Sequence, residues 1–195
     1  MKNLIHTQTA QNLIRSLANE CQTSIRYDFF AQKAKQAGYI QIANIFLETA
    51  LHEKAHAETF LYFLKADFND SMLNFNVTSP VILHDKIDGN LEGAIHLENK
   101  LWTQTYPQYA QTALKEGFNQ VADVFGKIAV AEKMHDKRFS ILAKNLNNDT
   151  LFGKNEELKW MCNNCGYLYL DKGAPEKCPS CAKPQGYFQV FCETR

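Results

Sequence analysis

Between residues 117 and 146, Phe125, Ile128, Glu132, His135, Phe139, Leu142 and Leu146 recur at spacings of three and four, which is one face of an α-helix. Residues 39–66 carry the same pattern in Ile42, Phe46, Thr49, Glu53, His56, Phe60 and Phe63. Helix formers dominate up to about residue 147, with Gly38 and Gly117 as punctuation, Pro80 in a break and Pro107 inside a helical stretch. A polar run from Asp67 to Pro80 is the long connection. These features predict four helices, at 7–36, 39–66, 81–114 and 117–146, and hence an all-α four-helix bundle.

Two of the apolar seams are broken by a Glu and, three residues on, a His. Charge on a buried seam is costly unless it is paired or binds metal. An internal repeat aligns the two breaks. Tyr27, Gly38, Phe46, Glu53, His56 and Phe60 match Tyr106, Gly117, Phe125, Glu132, His135 and Phe139, always 79 positions on. Two helix pairs related by a pseudo-two-fold would bring both motifs to one centre. Each pair also has an upstream carboxylate, Glu20 and Glu98, but these lie 78 apart. The third helix therefore holds one extra residue between Glu98 and Tyr106, which predicts a π-bulge there.

Glu20, Glu53, His56, Glu98, Glu132 and His135 are thus the candidate metal ligands and catalytic groups. One Glu from each of two helices and Glu-x-x-His from each of two more is the di-iron carboxylate arrangement. The carboxylates neutralise and bridge two divalent ions, and the imidazoles cap them. Neighbouring residues read differently. His52, adjacent to Glu53, is expected to point away as a surface histidine, and His96 and Glu92 to lie off the face of Glu98. Tyr27 and Tyr106 are either donors to site carboxylates or core aromatics. Cys21 reads as a packing residue.

Beyond residue 147 the composition turns to a polar linker, 148–156, and then to cysteines, aromatics, prolines and glycines without helical period. Cys162-x-x-Cys165 and Cys178-x-x-Cys181 have the spacing of a tetrahedral four-sulfur site for iron or zinc. Trp160, Tyr167, Tyr169, Tyr187 and Phe188 are expected to form the small core around it. The chain so divides into a bundle, 1–147, and a loop-rich metal module, 157–195.

Bulk properties serve mainly to exclude. Lys and Arg number 21 against 21 Asp and Glu, which leaves no electrostatic footprint for nucleic acid or an anionic membrane. No apolar run approaches the ~18 residues of a membrane span, and Met1 to Thr7 lack a signal-peptide core. The expectation is a cytoplasmic protein whose paired cysteines bind metal rather than form disulfides.

The chain resembles the rubrerythrin family over essentially its whole length. The likeness is carried by Glu20 with Arg26-Tyr27, Glu53-Lys-Ala-His56-Ala57, Tyr106-Pro107, the run Ile128 to Phe139, and the two cysteine pairs with twelve residues between them. The resemblance implies a ferritin-like bundle, usually a homodimer, with a small C-terminal rubredoxin-like domain. Its non-haem di-iron centre would reduce hydrogen peroxide to water in oxidative stress defence, as an oxidoreductase of the NADH-peroxidase type. An external reductase or a rubredoxin-type carrier would donate electrons. By the same resemblance, Glu53 and Glu132 bridge the irons, Glu20 and Glu98 are terminal ligands, His135 binds one iron and His56 is the redox-dependent ligand. Iron at Cys162, Cys165, Cys178 and Cys181 would relay electrons, generally to the di-iron site of the other subunit.

This chain departs from the family at one ligand position. The family has a further glutamate three residues after the one matching Glu98, and it exchanges with the histidine as the iron changes redox state; here Leu101 stands in its place. Leucine cannot ligate, so His56 is expected to stay bound in both oxidation states, or the first iron to be loosely held. Trp102 and Gln104 also replace more polar or acidic residues, implying a drier pocket. Two other functions compete: a ferroxidase-type iron-handling protein, which has no need of the cysteine module, and a non-catalytic protein joining a zinc ribbon to a degenerate bundle.

Overall fold

The computed structural model describes residues 3–76 and 78–193. Helix α1 (Gln8–Gln36) starts where the Thr7 hydroxyl accepts the Ala10 amide at 3.1 Å, filling one of the donors that a helix start leaves open. Gly38 turns the chain at φ +84°, the Tyr39 amide donates back to the Ala34 carbonyl at 2.9 Å, and α2 (Ile40–Phe68) returns along α1. The same device recurs 79 residues on. Gly117, at φ +80°, ends α4 (Tyr106–Glu116), and the Phe118 amide donates to the Ala113 carbonyl at 2.8 Å ahead of α5 (Asn119–Asn147). Only glycine enters this left-handed region without steric cost, so the repeat in the sequence is also a repeat of backbone.

The third helical stretch is α3 (Ile87–Lys100), a π-helical segment (Leu101–Thr105) and α4. The π segment lies between Glu98 and Tyr106, where the 78-residue offset predicts it, and Tyr106 is returned to full burial. The stretch begins at Ile87 rather than at 81. The Asn90 side chain accepts the His84 amide at 2.8 Å and donates to the His84 carbonyl at 2.9 Å, and such local bonds compete with helix formation. The connection ahead of α3 is tied to α1 by Arg15 to the Asn76 carbonyl, Arg26 to Ser79 and Pro80, and Lys33 to Asp85.

Two aromatic triads fill the core. Tyr27, Phe46 and Phe139 lie with ring centroids 4.9–5.6 Å apart. Their repeat mates Tyr106, Phe125 and Phe60 lie 5.2–5.9 Å apart. Both α2 and α5 read Phe, Glu, Phe at seven-residue intervals, so Glu53 and Glu132 fall between the triads. No helix among the described residues is long and apolar enough to cross a membrane.

Strands β1 (Gly153–Cys162), β2 (Leu168–Gly173) and β3 (Phe188–Val190) make an antiparallel sheet in the order β2-β1-β3. β1 starts inside the stretch that composition reads as linker, with Gly153 paired to Gly173. Trp160 and Phe188 are fully buried, with Tyr169 and Tyr187 packed against them. Tyr167 does not join this core. Its carbonyl accepts the Cys162 amide at 3.0 Å, closing the turn, while the residue remains 37% exposed.

The turn Gln185–Tyr187 seats this module on the bundle. A Cβ at Gly186 would fall 1.8 Å from the Gly38 carbonyl oxygen, so a side chain cannot be accommodated without separation. Gly186→Ala is expected to cost about 1–3 kcal/mol. Hydrogen exchange should speed up around 185–190 while α5 stays protected; unchanged exchange there would count against this contact.

Candidate functional site

The six candidate side chains converge. Glu20 comes from α1, Glu53 and His56 from α2, Glu98 from the last turn of α3, and Glu132 and His135 from α5. All four carboxylates are wholly buried. The possible ligand atoms form two groups, Glu20 with Glu53, His56 and Glu132, and Glu98 with Glu53, Glu132 and His135, each lying within 4.8 Å. Glu53 and Glu132 belong to both, and their oxygens divide between the halves. Glu53 places Oε2 3.1 Å from His56 Nδ1 and Oε1 3.0 Å from His135 Nδ1. Glu132 places Oε1 3.1 Å from His56 Nδ1 and Oε2 2.8 Å from His135 Nδ1. One oxygen to each half is how a carboxylate bridges two ions.

Burial works against charge on both histidines, but the carboxylates of Glu132 and Glu53 outweigh it, holding His56 up at about 9 and His135 up at about 12. Burial, and then the charges of Glu53 and Glu132, push Glu20 and Glu98 well above the ordinary carboxylate range. Burial also acts to raise Glu53, yet its bonds to His135 and His56 hold it well below that range. Protons thus balance the metal-free cluster. Four carboxylates also match the charge of two divalent ions, and neither buried Glu20 oxygen accepts from a donor group, its hydrogen-bonding neighbour being another carboxylate, Glu53. The cluster fits two iron ions.

Both histidines are raised above the ~6.5 of an unfolded chain, so their stabilising contribution is complete below that value and lost as pH rises through about 9 and then about 12. Glu20 and Glu98 act in the same direction, since they retain protons that the unfolded chain has released. The metal-free bundle is therefore expected to melt at a lower temperature near about pH 10 than near about pH 7. With metal bound, the ligands are already deprotonated and the drop should be smaller; circular dichroism melts of both forms check this.

The Tyr27 hydroxyl donates to Glu98 Oε1, whereas the Tyr106 hydroxyl is buried without a partner. One repeat mate is a site donor and the other a core aromatic. Leu101 packs in the apolar cluster of Phe60 and Tyr106 and offers no ligand. Glu92 and His96 are exposed, as expected. Gln104 is exposed too, and Trp102 turns its Nε1 to Asp136 at 2.8 Å, so the drier pocket expected from this pair does not follow. Cys21 is exposed rather than packed.

His52 is the residue that sequence reasoning misplaced. It is half-buried, its Nδ1 lies 3.2 Å from His135 Nε2, and the two rings meet edge to edge, with centroids 5.3 Å apart and planes 11° apart. Adjacency to Glu53 suggested the opposite face; its spacing of four from His56, which is one helical turn, was the signal. Burial, with His135 alongside, lowers the His52 pKa.

In the sheet module, Cys162, Cys165, Cys178 and Cys181 bring their sulfurs within 4.8 Å of one another. Both Cys-x-x-Cys turns close identically, Gly166 donating to the Cys162 carbonyl and Ala182 to the Cys178 carbonyl, each at 2.9 Å. The backbone amide of Lys183 pulls Cys181 down to about 6, while burial pushes Cys162 up to about 11. The set fits one rubredoxin-like iron.

Residues 11–143 match the family model described as Rubrerythrin, and residues 160–189 the one described as Rubrerythrin, rubredoxin-like domain. The chain is 45% identical to Rubrerythrin of Clostridium perfringens over 194 residues, covering 100% of both chains. It is 37% identical to Rubrerythrin of Nitratidesulfovibrio vulgaris, covering 98% of both. A solved structure of nigerythrin in a mixed-valence state aligns with a TM-score of 0.64 at 24% identity, over 97% of this chain and 92% of that one, which shows the ferritin-like fold.

Proposed function

The chain belongs to the rubrerythrin family, and from that premise we propose that it is an oxidoreductase that reduces hydrogen peroxide to water in oxidative stress defence. The balance is one peroxide, two electrons and two protons to two waters. The observation that carries this reading is a cluster with two shared carboxylates joined, in one chain, to a four-cysteine site suited to electron relay. We assign Glu53 and Glu132 as bridges, with Glu20 and His56 completing one half and Glu98 and His135 the other. When bound, the two ferrous ions supply one electron each. Tyr27 holds its hydroxyl proton against Glu98, and the two aromatic triads exclude water on either side.

The bundle, 1–147, is the catalytic module, and the sheet module, whose first strand already begins at Gly153 inside the polar stretch 148–156, is the relay, fed by an external reductase or rubredoxin-type carrier. The cytoplasm is the compartment we assign. A homodimer is supported by Ile25 and Phe29 on α1 and by Leu47 and Leu51 on α2, all exposed. Ser24 donates to the Ala50 carbonyl at 2.7 Å, which sets the two rows side by side, and such patches mark contact surfaces.

Leu101 favours a second reading. Without a further carboxylate the set is four Glu and two His, equal in both halves, which suits ferrous-iron oxidation by oxygen as in ferroxidases. Stopped-flow mixing separates the two. Fast return of the cysteine-site absorption with peroxide and slow return with oxygen is the expected result. Comparable slow rates, or many irons oxidised per subunit, would give the second reading the lead.

A further inference from the structure

We propose that His52 is a positioning residue for His135, accepting its outer N–H, and that the two halves of the bundle site are thereby unequal. The proposal rests on the ligand reading above. His135 turns Nδ1 toward Glu132, Glu53 and Glu98, at 2.8, 3.0 and 3.8 Å, so Nδ1 is the atom open to metal. A metal there leaves the ring's one proton on Nε2. That nitrogen lies on the far side of the ring, 3.2 Å from His52 Nδ1. His52 meets it with a lone pair when its own proton sits on its Nε2. With 11° between planes the rings lie nearly coplanar and edge to edge, so the N–H and the lone pair point at each other and the bond fixes the His135 tautomer. Glu48 and Arg138, paired at 2.5 Å, join α2 and α5 one turn further along.

The repeat shows where this support is missing. An offset of 79 sets His56 against His135 and His52 against Ala131. His56 faces Glu53 and Glu132 through Nδ1 as its mate does, but a methyl group at 131 cannot accept a hydrogen bond. Among the described residues, the chain therefore backs one imidazole with a second layer and sets no such side chain at the matching position behind the other. Such backing tunes metal affinity by about 10–100-fold.

The test is cobalt(II) titration of the metal-free full-length protein, comparing wild type with His52→Gln and His52→Leu. The bundle ions are followed by their ligand-field bands, and the cysteine site by its sulfur charge-transfer band. Wild type should bind two bundle ions with unequal constants. His52→Leu should weaken the tighter by about 10–100-fold and bring the two together, while His52→Gln, whose carbonyl also accepts, should stay within about threefold of wild type. Position 52 is half-buried, and an unchanged metal-free melt would show that each variant folds. Wild-type constants in His52→Leu, or an equal loss in His52→Gln, would overturn the positioning role and leave the ligand reading standing. A wild-type bundle that takes up no cobalt would overturn both.

Discussion

Replacing Glu53 with leucine is expected to empty both metal positions of the bundle, whereas Glu20→Leu and Glu98→Leu should each empty one. Glu53 gives one oxygen to the His56 half and the other to the His135 half, so under the assignment proposed above its loss would remove a ligand from each. Second-layer changes alone cost about 10–100-fold in affinity, and the loss of a direct, charged ligand should exceed that at both positions. The variant should still fold. Leucine relieves a buried charge, and His56 and His135 can each shed a proton rather than remain as unpaired cations. Iron content per bundle, measured after anaerobic reconstitution, reads the outcome. One iron retained in Glu53→Leu would show that the carboxylate serves a single ion.

The sequence was most legible where the chain repeats itself. The offset of 79 placed both Glu-x-x-His motifs and both glycine turns, because helical periodicity and φ > 0 turns are local properties. The one extra residue between Glu98 and Tyr106, which shortens the Glu20–Glu98 offset to 78, located the π segment at Leu101–Thr105. What escaped depended on contacts between distant segments. The start of the third helix is delayed by Asn90 folding onto His84, which composition cannot weigh against helix formers. His52 was assigned by adjacency to Glu53, but its place is decided by α5, where His135 comes to meet it. Tyr167 was grouped with the module's aromatics, yet it supplies only backbone to the cysteine turn.

Stripping the metal from the cysteine site is expected to unfold the sheet module and leave the bundle intact. The module's buried set is Trp160, Cys162, Ala174, Cys178 and Phe188, so two of its five core residues are themselves thiols of the site. A segment of roughly 40 residues seldom stabilises itself by apolar burial alone, and β3 spans only Phe188–Val190. Structural four-ligand sites bind with about 10–16 kcal/mol of apparent free energy, far more than this core supplies. Without metal, Cys162 must lie beside Cys181 and Cys165 beside Cys178, at 3.8 and 3.7 Å, with little to hold them there. In hydrogen exchange with mass spectrometry, Cys165→Ser or a chelated sample should lose protection across 153–190 while α1, α2 and α5 keep theirs. If the chain is the peroxidase proposed above, such a protein should still consume peroxide when a small chemical reductant reaches the bundle directly, but not when electrons must arrive through the module. Protection of 153–190 that survives metal removal would mean that packing on the bundle, at Gly186 and at the Tyr39–Phe152 stack, outweighs the metal in holding the module folded.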